Sequence, residues 1–211
     1  MKDKIEIYNL DSEMDTIDSV ENFYDCVRRD FEVDGQAQRK AKVVSLILMN
    51  SAGELYIQKR EKNKVQSTGI YDKTIGGHVK VGDNFERSLI IECGQNLGIS
   101  AVVEPEENFA GIAKSLDLRL MAVCKKVDYL SDFMSKKVFE NGEVFIQPYM
   151  NTMYIGYYDG DLGFINGKKS IMELISLEKL QEMIAVNPYE ITPDLKFMLD
   201  KYAEFFVPLK R

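Results

Sequence analysis

Gly77–Ile99 reads GHVKVGDNFERSLIIECGQNLGI, a glycine-led loop that runs into a helix. Between Gly82 and Leu97 the residues Phe85, Leu89, Ile90, Cys93 and Leu97 recur at three- and four-residue steps, which predicts an amphipathic helix with that face buried. Asp83, followed three residues later by Glu86, makes a capping-box-like start. Glu92, Gln95 and Asn96 fall on a neighbouring polar flank, at the steps that bring helix side chains together. Gly94 weakens the helix by about 1 kcal/mol relative to alanine, so tertiary packing must hold it.

Upstream, Val43–Met49 (VVSLILM) is a nearly continuous apolar run rich in β-branched residues, the pattern of a buried strand. Asn50 to Glu54 is turn chemistry, and Leu55–Arg60 reads as the returning strand of a hairpin. Lys59, Arg60, Lys62, Lys64 and Lys73 form a strongly basic stretch before the glycine loop. Residues 1–40 read as an extension packed on a main domain of residues 41–211. It holds a short strand over Lys4–Tyr8, an acidic loop, and a one-faced helix over Asp18–Phe31 capped by Asp18 or Ser19.

Downstream, Leu118–Val127, Val144–Met150 and Met153–Tyr158 read as strands, with turns at Asn141-Gly142 and Asp159-Gly160-Asp161. Ser176 caps a helix over Leu177–Val186. Thr192-Pro193 opens a last helix with cap and proline in their favoured order. Its apolar face is Leu195, Met198, Leu199, Tyr202 and Phe206.

The 27 basic and 34 acidic side chains of the 211-residue chain give a net charge of -7, against a general nucleic-acid or membrane-surface binder. The three cysteines, Cys26, Cys93 and Cys124, are widely spaced and contain no CxxC. Such a set reads as reduced buried thiols, not as a disulfide frame or zinc site. The acidic N-terminus lacks the apolar core of a signal peptide. No apolar run approaches the ~20 residues that span a bilayer. The expected location is cytoplasmic.

The stretch from Gly77 resembles the Nudix box, GX5EX7REUXEEXGU with U a bulky aliphatic residue. Gly77 is the opening glycine, Asp83 takes the first glutamate position, Ile91 the arginine position and Glu92 the next glutamate. Cys93 takes the aliphatic slot, Gln95 and Asn96 replace the paired glutamates, and Gly98-Ile99 close the motif. From about Ala41 to Tyr202, through GELYIQKR, YDKTIGGHV, the YDG turn and SLEKL, the chain is similar to Nudix proteins. The nearer likeness is to the branch that includes isopentenyl-diphosphate isomerase and its hydrolase relatives. The resemblance implies an α/β (α+β) fold, a mixed β-sheet sandwiched between helices.

It also implies cleavage of a nucleoside diphosphate linked to another moiety, with Mg²⁺ or Mn²⁺ held by box glutamates and a loop carbonyl. Splitting a pyrophosphate needs a metal to neutralise developing charge and help generate a nucleophilic water. On this pattern the metal ligands are Glu92, the Gly77 carbonyl, Gln95 and Asn96, with Glu143 as a second catalytic carboxylate beside Glu92. Lys59, Arg60, Gly76, Gly77 and His78 are the substrate-binding candidates. Losing two box carboxylates weakens a metal site by several kcal/mol, since a unit pair near 4 Å is worth about 4 kcal/mol at an effective dielectric of 20.

Two functions follow. One is a Nudix-type hydrolase acting on a small phosphorylated metabolite with a weak metal. The other is a catalytically inactive Nudix module that binds a nucleotide-like ligand or a protein partner. A homodimer is compatible with both.

Overall fold

The computed structural model describes residues 4–9, 14–17, 19–60, 70–138, 144–162 and 171–210. In chain order the strands are β1 (Ile5–Asn9), β2 (Met14–Ile17), β3 (Arg39–Met49), β4 (Leu55–Lys59), β5 (Tyr71–Asp72), β6 (Ile75–His78), β7 (Ser100–Val103), β8 (Met121–Val138), β9 (Val144–Tyr157) and β10 (Ile171–Ile175). The helices are α1 (Val20–Asp34), α2 (Phe85–Glu92), α3 (Glu106–Ser115), α4 (Leu177–Val186) and α5 (Pro193–Lys201).

The strands form one mixed sheet of order β10-β4-β3-β9-β8-β7, with β1 and β6 also paired to β3. β3 runs parallel to β9 and β7 parallel to β8, and the other strand pairs are antiparallel. β3 explains the apolar run: it is covered on both faces, so neither set of alternate residues is polar. Val44, Leu46 and Leu48 join one buried cluster with Leu89, Cys93 and Leu97 from the α2 side. Ala41, Val43, Ile47 and Met49 join the opposite cluster with Phe23 of α1, Phe109 of α3, Leu180 of α4 and Leu195 of α5. The chain therefore forms the expected mixed sheet between helices.

Local chemistry sets several boundaries. Ser19 caps α1 by accepting from the Asn22 N–H, Ser176 caps α4 and Thr192 caps α5. Leu195, Met198, Leu199, Tyr202 and Phe206 are all buried, as their spacing predicts. Cys93 and Cys124 are buried free thiols, while Cys26 is only half-buried. A hydrogen bond with Cys93 and burial together push the Cys124 thiol well above its ordinary range.

Other expectations need correction. The acidic N-terminal loop contains β2, which pairs antiparallel with β1. β3 begins at Arg39 and pairs there with β1. Val144–Met150 and Met153–Tyr158 are one strand, because Asn151 and Thr152 are buried within β9 and Asn151 Nδ2 donates to Ser45 Oγ at 3.1 Å. Pro148 is tolerated because β3 pairs with β9 only from Tyr149 onward, leaving that edge free of a ladder bond. The strand expected from Leu118 begins at Met121, and β7, α3 and β10 carried no clear periodicity in the sequence. The turn at Asn141-Gly142, together with Lys62 and Lys64, lies outside the described residues.

β1 is tied to the sheet by charge. Lys42 Nζ donates to Glu6 Oε2 at 2.7 Å, Tyr8 donates to the same oxygen at 3.1 Å, and the ammonium lies 5.1 Å from the Tyr8 ring centre. These bonds, that from Lys42 first, hold the Glu6 carboxyl below its ordinary value. A lowered carboxyl pKa adds stability that is complete above the unfolded-state value and disappears as pH falls through the folded value. Acid melting curves are therefore expected to show Glu6→Gln destabilised at pH 7 but converging on wild type below about pH 4. An equal gap at both pH values would contradict this role.

Among the described residues, no helix is long and apolar enough to cross a membrane.

Candidate functional site

The site is built where β6 meets α2. β6 is laid along β3 with Val44 opposite Gly77 and Ser45 opposite Gly76. α2 docks on the same side of β3 through Leu89 and Cys93, both fully buried. Asn84, not Asp83, caps it, accepting from the Arg87 N–H at 2.8 Å. Asp83 precedes the cap in the turn and pairs with Arg87 at 3.0 Å. Ile90, expected on the buried face, is 41% exposed. Beyond Glu92 the helix widens into a single π turn, Cys93–Leu97. Such turns are frequent at functional sites. Gly98 ends it with a φ of 68°, a left-handed conformation in which glycine carries no Cβ penalty.

Glu92 lies directly against Gly77. A Cβ on Gly77 would stand 2.5 Å from Glu92 Cδ and 2.6 Å from Oε1, so the glycine leaves the space that the carboxylate fills. Asn96 Nδ2 donates to Glu92 Oε2, the i to i+4 step carried through the π turn. Glu92 and Asn96 are half-buried and Gln95 is exposed. Glu92, Asn96 and Gly77 thus gather at one place.

β6 divides the remaining candidates. Successive strand residues face opposite sides of a sheet, so Gly76 and His78 face away from Glu92. A Cβ on Gly76 would meet Lys73 Cε at 3.0 Å. The His78 ring makes edge contacts with Phe23, Tyr24 and Tyr149, at centroid distances of 5.8, 5.9 and 5.9 Å. His78 is therefore part of an aromatic cluster built with α1.

The basic stretch is largely spent on local partners. Lys59 Nζ donates to the Tyr71 hydroxyl at 3.3 Å and lies 4.0 Å from Glu173. Arg60 Nε is 3.7 Å from Asp72. Lys73, read from sequence as part of a basic strip, is buried between Asp72 at 3.5 Å and Asp194 at 3.4 Å. Burial opposes its charge, but the two carboxylates outweigh that cost and hold the ammonium above its usual range. Asp194 also accepts from Ser135 Oγ at 2.8 Å, and Asp72 accepts from Thr192 Oγ1 at 2.9 Å. Sequence reasoning missed this network. Its one signal was Asp194 directly after the Thr192-Pro193 cap. Glu143 lies outside the described residues.

Among the described residues, no three His, Cys, Asp or Glu side chains are grouped to hold a metal ion. The donors beside Gly77 are one carboxylate, Glu92, and the Asn96 side-chain amide bonded to it. Magnesium is commonly bound through one or two carboxylates plus substrate phosphates, so this set suits an ion that arrives with its ligand.

No family model matches the chain. It is 38% identical over 58 residues to an uncharacterized Nudix hydrolase of Pseudomonas aeruginosa, a match covering 28% of this chain and 34% of that protein. The chain thus spans about a third of the length of the curated relative it matches. Its fold is similar to that of DR0079 from Deinococcus radiodurans, with a TM-score of 0.59 and 18% identity over 94% of this chain and 98% of the other. It is also similar to a bifunctional NMN adenylyltransferase/ADP ribose pyrophosphatase of Francisella tularensis, with a TM-score of 0.51 and 12% identity over 88% of this chain and 47% of the other. The chain thus has the mixed α/β fold of these structures, and a stretch of it is similar in sequence to a Nudix hydrolase.

Proposed function

We propose that this protein binds a small phosphorylated metabolite of the nucleoside-diphosphate type where β6 meets α2, and cleaves it slowly with Mg²⁺ or Mn²⁺. The observation that carries the reading is the Glu92 carboxylate, seated on Gly77 and joined to Asn96. A bound ion would neutralise charge on the pyrophosphate and help generate a nucleophilic water. Glu92 would hold it, with the Gly77 carbonyl and the amide oxygens of Gln95 and Asn96 as neutral donors. Asn96 Nδ2 keeps Glu92 oriented. The Francisella protein with this fold has been crystallised with AMP and a manganese ion, which supports a metal-and-nucleotide reading without assigning a substrate here. Glu143 enters as a second carboxylate and the isomerase-related branch as the affiliation of this stripped box, while Gly76 and His78, on the other side of β6, and Lys59 and Arg60, held by Tyr71 and Asp72, stand outside the place where the ion would sit.

A second reading, an inactive Nudix module, is favoured by one observation. An Asn96 amide donates to the carboxylate that would hold a metal, where the Nudix pattern places a further glutamate.

Hydrolysis separates the two. Incubation with ADP-ribose and Mn²⁺, followed by chromatography for AMP, is expected to show slow turnover that falls at least about a hundredfold in Glu92→Gln. Product formation unchanged in that variant would overturn the assignment of Glu92. Binding of ADP-ribose without any product would leave the module.

A further inference from the structure

Among the described residues, the outer half of β8 is paired along one edge alone. β7 pairs with β8 only over Met121–Cys124, and β9 occupies the opposite edge as far as Val138. Among the described residues nothing pairs with the other edge of β8 beyond Asp128. A groove of about 550 Å³ is lined by Tyr129 to Met134 together with Phe197 and Lys201 of α5.

Charge and register say what fits there. Antiparallel strands place opposing side chains on the same face, so in a self-paired strand the two-fold axis must pass through a residue. With the axis at Met134, Asp132 faces the partner's Lys136 twice, and Phe133 faces the small Ser135. An axis at Phe133 would set Asp132 against Met134, and an axis at Ser135 would set Met134 against Lys136. Neither forms an ion pair. Met134 is 57% exposed and Lys136 is exposed, while Phe133 and Ser135 are buried on the inner face. The irregularity between Leu130 and Phe133 and the lysine at 136 are devices that guard a strand edge from indiscriminate pairing. In the register centred on Met134 the charges attract.

We propose that β8 pairs edge to edge with β8 of a second copy of the chain, giving a two-fold dimer centred on Met134 in which each Asp132 faces the partner's Lys136. The interface is isologous, the commonest form of closed assembly. It does not depend on the metabolite reading, because Glu92 and Gly77 take no part in it.

Sedimentation velocity of the full chain tests this without any ligand. Wild type is expected at twice the chain mass at micromolar concentrations. Lys136→Asp, an exposed substitution that opposes like charges twice, is expected to raise the dimer dissociation constant about tenfold or more. The double exchange Asp132→Lys with Lys136→Asp restores opposite charges and is expected to return it to near the wild-type value. Asp132 also holds Lys40 at 2.9 Å, so melting curves of the double variant check that the monomer still folds. A monomeric wild type at all concentrations would overturn the proposal. So would a dimer indifferent to Lys136→Asp, or a folded double variant that stays monomeric.

Discussion

Asp194→Ala is expected to cost about 3–5 kcal/mol of folding stability, the range for removing one partner of a buried ion pair. Asp194 is 8% exposed and sits in the first turn of α5, where the helix dipole favours a carboxylate. It joins Lys73 to Ser135 of β8, so one side chain ties three parts of the fold together. Without it the Lys73 ammonium keeps Asp72 at 3.5 Å but loses half of its opposing charge. Ser135, wholly buried, loses the acceptor of its hydroxyl. Urea denaturation of wild type and variant measures the cost directly. A loss below 1 kcal/mol, as for a surface pair, would mean that water reaches this network.

Gly77→Ala is expected to do the reverse, leaving the fold nearly intact while disabling the site. The new methyl collides with the end of the Glu92 side chain, a flexible group that swings aside without moving the backbone. β6 keeps its pairing to β3, and a strand accepts alanine at small cost. The carboxylate, however, leaves its place beside Asn96. Losing one carboxylate from a site that has a single one is worth about 3–4 kcal/mol, or two to three orders of magnitude in metal-dependent affinity. Titration with Mn²⁺ and ADP-ribose, beside a melting curve, reads both quantities. Retained binding would show that Glu92 is not the ligand, and a collapse of the melting temperature would show that Gly77 serves the fold instead.

The sequence disclosed those features that depend on neighbours in the chain. Ser19, Ser176 and Thr192 cap helices because a short hydroxyl side chain satisfies the first free N–H groups, wherever the helix later docks. The β3 run was legible because a strand covered on both faces has no polar face to alternate with. The resemblance to the Nudix box placed Gly77 and Glu92 in one proposed ligand set, though not in direct contact. Features set by pairing between distant segments were hidden. No local pattern shows that β6 puts Gly77 and Gly76 on opposite sides, separating Glu92 from His78 and Lys73. Nor does it show that Asn151, a polar residue of the kind that forms turns, lies within β9 opposite Val43 with its side chain on Ser45. Lys73 was misread for a simple reason: its two carboxylate partners include one 121 residues away. The start of α2 was displaced by one residue because Asp83 and Asn84 are both good caps, and only the Asn84 hydrogen bond decides between them.

The central claim is that Glu92 is the one box carboxylate holding a ligand-assisted metal. Calorimetric titration of Mn²⁺ into wild type and Glu92→Gln, each with and without ADP-ribose, tests it most directly. The account predicts weak or undetectable binding of the ion alone, clear binding once ADP-ribose is present, and loss of that binding in the variant. Equal metal binding by wild type and Glu92→Gln in the presence of ADP-ribose would contradict it.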